Sequence, residues 1–180
     1  MHRNVEKILV TKEEIEKRVT ELGKEISRDY AGEKLLLVGI LKGSVLFMAD
    51  LMRHLDLDVE IDFMAVSSYG SGTQTSGEIK IRKDLGVDIA QRRVLVVEDI
   101  VDTGTTLYYL RKMLQERGAA SVDIVTLLSK PSRRQMDVEV KYTGFTVPDE
   151  FVVGYGLDFA ESYRQLPYVG VLRPECYAVD

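Results

Sequence analysis

The stretch that most constrains this chain is VLVVEDIVDTGTTL, residues 94–107. Val94, Leu95, Val96 and Val97 form an unbroken, largely β-branched apolar run, which suits a strand buried on both faces. The run ends at two carboxylates, Glu98 and Asp99. Two apolar residues follow, then a compact polar turn of Asp102, Thr103, Gly104, Thr105 and Thr106. Leu107, Leu110 and Leu114 recur at helix spacing, and Gly118 supplies a C′ stop. Strand, glycine-containing loop and helix N-terminus, in that order, put the loop at the carboxyl edge of a parallel sheet. That edge is where α/β proteins bind ligands.

Backbone N–H groups, threonine hydroxyls and the positive end of a helix dipole equip the loop for one phosphate. It is not a P-loop, because no GxxxxGK[ST] spacing occurs, and no GxGxxG follows a strand. Neither Glu98 nor Asp99 can face a phosphate without repulsion unless a cation or sugar hydroxyls intervene. A sugar phosphate with an adjacent diol and bound Mg2+ satisfies every group.

With these residues the stretch resembles the phosphoribosyl-pyrophosphate (PRPP) signature of type I phosphoribosyltransferases. It is most similar to that of the hypoxanthine-guanine phosphoribosyltransferases of bacterial type. The likeness extends to Leu41-Lys42-Gly43-Ser44, Ser68-Tyr69, LLSKP at 127–131 and PDEFVVGYGLDF at 148–159. The last run narrows it to the 6-oxopurine branch.

The remaining pattern agrees with an α/β class, a mainly parallel central sheet flanked by helices. Thr11 and Glu14 form a capping box, and Ile15, Val19, Leu22 and Ile26 make an amphipathic stripe behind it. Residues 35–40, 59–66 and 122–128 read as further strands, with 151–153 and 169–172 as the last candidates. Ser44 is placed to N-cap a helix that runs to about residue 55, with His54 as a solvated cation near its end. Residues 70–77 hold no large apolar group and 79–82 alternate, so a mobile catalytic flap is expected over 68–83. The resemblance adds a small hood built from the terminal segments, within one domain spanning 1–180.

A chain of 180 residues with a net charge of −5 does not look like a nucleic-acid binder or a protein of anionic membranes. An anionic substrate must be held by local groups and metal. Cys176 is the only cysteine, so no internal disulfide forms and a reducing cytoplasm fits. No apolar segment approaches membrane-spanning length, and the N-terminus lacks the apolar core of a signal peptide.

The resemblance implies a Mg2+-dependent reaction in which a purine nitrogen attacks the anomeric carbon of PRPP, pyrophosphate leaves and a nucleoside monophosphate forms. It implies that residues 102–106 hold the 5′-phosphate, although family members often carry lysine where Thr105 stands. Glu98 and Asp99 would serve the ribose diol and the metal, their side chains starting on opposite sides of an extended segment. Asp102 would be the general base for purine N7. A carboxylate beside a phosphate is made more basic by like charge, which suits that task. Lys42, Gly43, Arg134 and Arg164 would bind pyrophosphate, in a loop that in the family often contains a cis peptide before the lysine. Lys130, Phe151, Val152 and Asp158 would bind the purine, and Asp158 would also help hold the metal. Ser68 and Tyr69 would form the lid. Lysine only donates hydrogen bonds, so Lys130 accepts a 6-oxo group and meets a second donor in a 6-amino group. The resemblance also implies a homodimer or homotetramer. A xanthine-preferring enzyme would carry the same groups. A PRPP-sensing regulator would share the fold, but it would usually add a basic DNA-binding module and need not keep Lys42, Lys130, Arg134 and Asp158 beside Asp102.

Overall fold

The computed structural model describes residues 1–68 and 79–178. Its centre is a sheet of six strands in the order β4-β3-β2-β5-β6-β7. The strands are β2 (Lys34–Ile40), β3 (Asp58–Ser68), β4 (Ile79–Lys83), β5 (Arg93–Val101), β6 (Ser121–Ser129) and β7 (Tyr142–Thr146). All neighbours pair in parallel except β3 and β4, which are antiparallel. Both faces are covered. Leu35 and Leu37, Leu95 and Val97, and Val125 and Leu127 pack toward helices α1 (Lys12–Asp29) and α2 (Val45–Met52). The alternate residues Leu36 and Val38, Val94 and Val96, and Val122 and Ile124 pack toward α3 (Thr105–Glu116). The consecutive apolar residues Leu35 to Val38 of β2 and Val94 to Val97 of β5 thus follow from period-two geometry with two buried faces.

The capping box at Thr11 forms in full, and Ile15, Val19, Leu22 and Ile26 are all buried. Gly118 follows the end of α3 with a φ of +86°. Ser44 departs from expectation. It precedes α2 but makes no cap, because its buried hydroxyl donates to Ile40 O at 2.7 Å, and the helix ends at Met52. β5 also runs further than the apolar run suggests, carrying Glu98 and Asp99 within the strand.

The hood is a separate three-stranded sheet in the order β1-β9-β8, antiparallel throughout. It joins β1 (Val5–Val10) to β8 (Val152–Val153) and β9 (Val169–Leu172), and so ties the two ends of the chain together. Strand order reverses between β2 and β5, which opens a crevice at their carboxyl ends. Of the expected lid, β3 and β4 form its antiparallel stem, while Tyr69 and residues 70–77 lie outside the described residues. No helix among the described residues is long and apolar enough to cross a membrane.

Candidate active site

β5 delivers the loop 102–104 into the crevice, and α3 begins immediately after it. Gly104 occupies the N-cap with φ +79°, and among the described residues the one side chain that reaches the first turn is Thr103, whose Oγ1 accepts from Thr105 N at 3.4 Å, so Asp102 is free of that task. The glycine is needed twice. Its φ is left-handed, and a Cβ there would stand 2.9 Å from both Arg134 Cδ and Met136 O. The segment after β6 braces the loop from below. Gln135 and Met136 donate backbone N–H groups to Thr103 O at 2.9 and 3.2 Å. Arg134 donates to Asp102 O at 3.0 Å and to Ser129 Oγ at 2.9 Å. The first N–H groups of α3 have no intrahelical acceptor. They lie at a cleft of about 270 Å3 lined by Thr103, Gly104, Thr106, Leu107 and both acidic residues of β5.

Glu98 and Asp99 leave the strand in opposite directions in principle, yet both line this one cleft. Glu98 Oε1 accepts from Asp99 N at 3.1 Å, and Asp99 Oδ1 accepts from Ile100 N at 2.7 Å. Burial, and then the charge of Asp99, pushes the Glu98 carboxyl well above its ordinary range. Burial raises Asp99 as well, against hydrogen bonds and the nearby Arg164 that favour its charged form.

Asp99 also touches the turn after β2. The Leu41–Lys42 peptide there is cis, the form often found in the family's loop. The hood presses on the same turn through Gly156, whose φ is +99° and whose missing Cβ makes room for Gly43 O. Lys42 Nζ pairs with Glu161 Oε2 at 2.7 Å. Arg164 donates to Gly156 O at 2.7 Å and pairs with Asp158 and Glu161, each at 3.1 Å. Lys42, Gly43, Arg164 and Asp158 therefore form one group. Arg134 stands apart from it, engaged beneath the 102–104 loop.

A second cavity, of about 440 Å3, is lined by Lys130, Arg133, Asp149, Phe151, Val152 and Leu157, among others. Lys130 is 7% exposed and donates to Glu150 O at 2.7 Å. Phe151 stacks on Tyr177 at 4.9 Å between centroids and meets Phe159 edge-on at 5.6 Å. Asp158 is not in this lining; its carboxylate pairs with Arg164 instead. The two cavities share Ile100 and Asp102. Sequence reasoning missed Arg133, whose Nε donates to Asp102 Oδ1 at 2.8 Å and whose Nη1 lies 3.6 Å from Asp149 Oδ2. The tandem of Arg133 and Arg134 after a strand end was the available signal: one guanidinium faces the cavity and the other the loop backbone.

The phosphoribosyl transferase domain family matches residues 6–160. A hypoxanthine-guanine phosphoribosyltransferase of Staphylococcus aureus is 52% identical over 178 residues, covering 99% of both chains. The bifunctional protein TilS/HprT of Listeria monocytogenes is also 52% identical over 178 residues, and this chain spans 28% of that relative's length. A crystal structure of a Staphylococcus aureus hypoxanthine phosphoribosyltransferase superposes with a TM-score of 0.96 at 52% identity, covering 99% of this chain and 97% of that one. The chain belongs to the phosphoribosyl transferase family, among the hypoxanthine-guanine phosphoribosyltransferases.

Proposed function

We propose that this chain transfers the phosphoribosyl group of PRPP to N9 of a 6-oxopurine, hypoxanthine or guanine, forming IMP or GMP and pyrophosphate in purine salvage. The position of Asp102 carries the proposal. Among the described residues it is the one ionisable residue common to the first cleft and the second cavity. A base that deprotonates a purine while the sugar phosphate is held must stand at such a junction.

The open N–H groups at the start of α3 and the hydroxyls of Thr103, Thr105 and Thr106 hold the 5′-phosphate. Glu98 and Asp99 meet the ribose diol. Lys42, the Gly43 backbone and Arg164 take the pyrophosphate, and Arg134 acts by keeping the phosphate loop in shape. In the second cavity Lys130 donates to the 6-oxo group, Phe151 stacks on the ring and Val152 offers its backbone. Anchoring both reactants in adjoining clefts gives the alignment that an in-line displacement needs.

The donor set fits Mg2+. Glu98 and Asp99 are hard oxygen ligands whose crowding a cation relieves, and Asp158 lies near Arg164 on the pyrophosphate side. Among the described residues no three His, Cys, Asp or Glu side chains converge, so substrate oxygens and water must complete the shell, as is usual for this ion. When bound, Mg2+ neutralises charge on the leaving pyrophosphate. A homodimer or homotetramer is consistent with Val45, Leu46 and Met52, which are 41%, 36% and 38% exposed on α2 next to the Lys42 turn. A cytoplasmic location suits the single cysteine.

The test offers the purified protein PRPP and Mg2+ with hypoxanthine, guanine, xanthine and adenine separately. IMP and GMP are expected, with adenine left unreacted. A preference for xanthine would assign the chain to the xanthine-preferring relatives, and no nucleotide from any base would refute the transferase assignment.

A further inference from the structure

Glu161 joins two cations that come from different parts of the chain. Its Oε2 accepts from Lys42 Nζ at 2.7 Å, and its Oε1 accepts from Arg164 Nη2 at 3.1 Å. Lys42 stands on the turn after β2, whereas Arg164 belongs to the hood segment between β8 and β9. The backbone is bent into an unusual shape to achieve this. Ala160 and Glu161 have φ of +49° and +64°, a left-handed conformation that residues with a Cβ seldom adopt. The turn is closed by hydrogen bonds between Phe159 and Ser162 at 3.0 and 3.2 Å. It is pinned further by Glu161 N donating to Asp158 Oδ2 at 2.9 Å.

The chemistry of the pair follows from charge. Lys42, foremost through its hydrogen bond, holds the Glu161 carboxyl below its ordinary range, so Glu161 is an anion at neutral pH. Arg164 also faces Asp158, and its charge is felt by Asp99. A pyrophosphoryl group that takes the same Nζ and Nη2 donors brings its oxygens against the Glu161 carboxylate, and the two anions repel. Both Lys42 and Glu161 are exposed, so their pair is weak enough to be exchanged. Arg164 keeps Gly156 O and Asp158 when Glu161 moves away, so its guanidinium does not depend on Glu161 for its place.

We propose that Glu161 is an internal competing anion. It occupies the donors of Lys42 and Arg164, yields them to the pyrophosphoryl group of PRPP, and reclaims them as pyrophosphate departs. The proposal rests on the assignment of Lys42 and Arg164 to pyrophosphate made above. On this account the carboxylate lowers the affinity for PRPP and pyrophosphate alike and prevents the product from lingering.

The experiment compares the parent with E161Q and E161D. It measures the KM of PRPP and of hypoxanthine, and the binding of magnesium pyrophosphate by calorimetry. E161Q should tighten PRPP and pyrophosphate by the same factor, about two- to fivefold, the worth of an exposed ion pair. The KM of hypoxanthine should not move, and the gain should shrink in 0.5 M salt, where exposed charges are screened to about 4 Å. E161D withdraws the charge by one methylene and should fall between the parent and E161Q. Unchanged or weakened pyrophosphate binding in E161Q would overturn the proposal, the weakened case showing that Glu161 merely supports its neighbours. If the parent itself bound no pyrophosphate and formed no nucleotide, the assignment of the site would have failed first.

Discussion

Gly43 lies directly against Asp99: a Cβ at residue 43 would overlap Asp99 Oδ2 and stand 2.6 Å from its Cγ. The turn proposed to hold pyrophosphate and the carboxylate proposed for the ribose and metal are therefore in contact. Gly43→Ala must displace Asp99 or the turn by an ångström or more. A misplacement of that size costs about 10²-fold in rate. The expected outcome is a loss of that order in kcat/KM for PRPP with the melting temperature little changed. Near-normal turnover in the variant would show that the contact has no bearing on catalysis.

Glu98, proposed above for the ribose and metal, is held where its charged form is disfavoured. Its carboxyl is raised by burial and by Asp99, so the folded protein favours the protonated form. The stability tied to that form is complete below the ordinary carboxylate range and is lost as pH rises through the elevated value. Glu98→Gln removes the ionisable carboxyl and should raise the melting temperature at neutral pH, while lowering turnover sharply. The gain should vanish near pH 4, where the unfolded carboxyl is itself about half protonated. A lower melting temperature at neutral pH would contradict this account of Glu98.

Arg133 and Arg134 are neighbours with separable tasks. Arg134→Ala removes two guanidinium hydrogen bonds under the phosphate loop and should weaken IMP and PRPP about tenfold, the usual worth of a charged hydrogen bond. Arg133→Ala removes the partner of Asp102 and Asp149 at the second cavity and should alter the KM of hypoxanthine more than that of PRPP. Calorimetry with IMP and steady-state kinetics on both variants decide the matter. Equal effects on both ligands from each variant would remove the distinction.

The parts of the molecule that were legible in the sequence are those ruled by local periodicity. β2, β5 and β6 are buried on both faces, so their apolar runs announce them, and the glycine-bearing turn between β5 and α3 was legible as the candidate for holding a phosphate. β1 was not legible. Its alternation is broken by register shifts, half of it is exposed, and its partner β9 is more than 150 residues away in the chain. β7 is a five-residue edge strand of mixed burial, YTGFT, and gives no stronger signal. Ser44 could be placed before its helix, but its choice of Ile40 O over a cap depends on tertiary position. The partners of Arg133 and Glu161 were hidden for the same reason, lying 31 and 119 residues away, and only the tandem with Arg134 hinted at the first of them.

The central claim is that Asp102 stands where purine and sugar phosphate meet and takes the N7 proton. Asp102→Asn keeps the size and backbone of the loop but cannot accept that proton. The decisive measurement is kcat for IMP formation beside the affinity for IMP in this variant. The account predicts a fall in kcat of roughly 10²–10⁴-fold, the range of general-base catalysis, with IMP binding retained. An unchanged kcat with intact IMP affinity would contradict it.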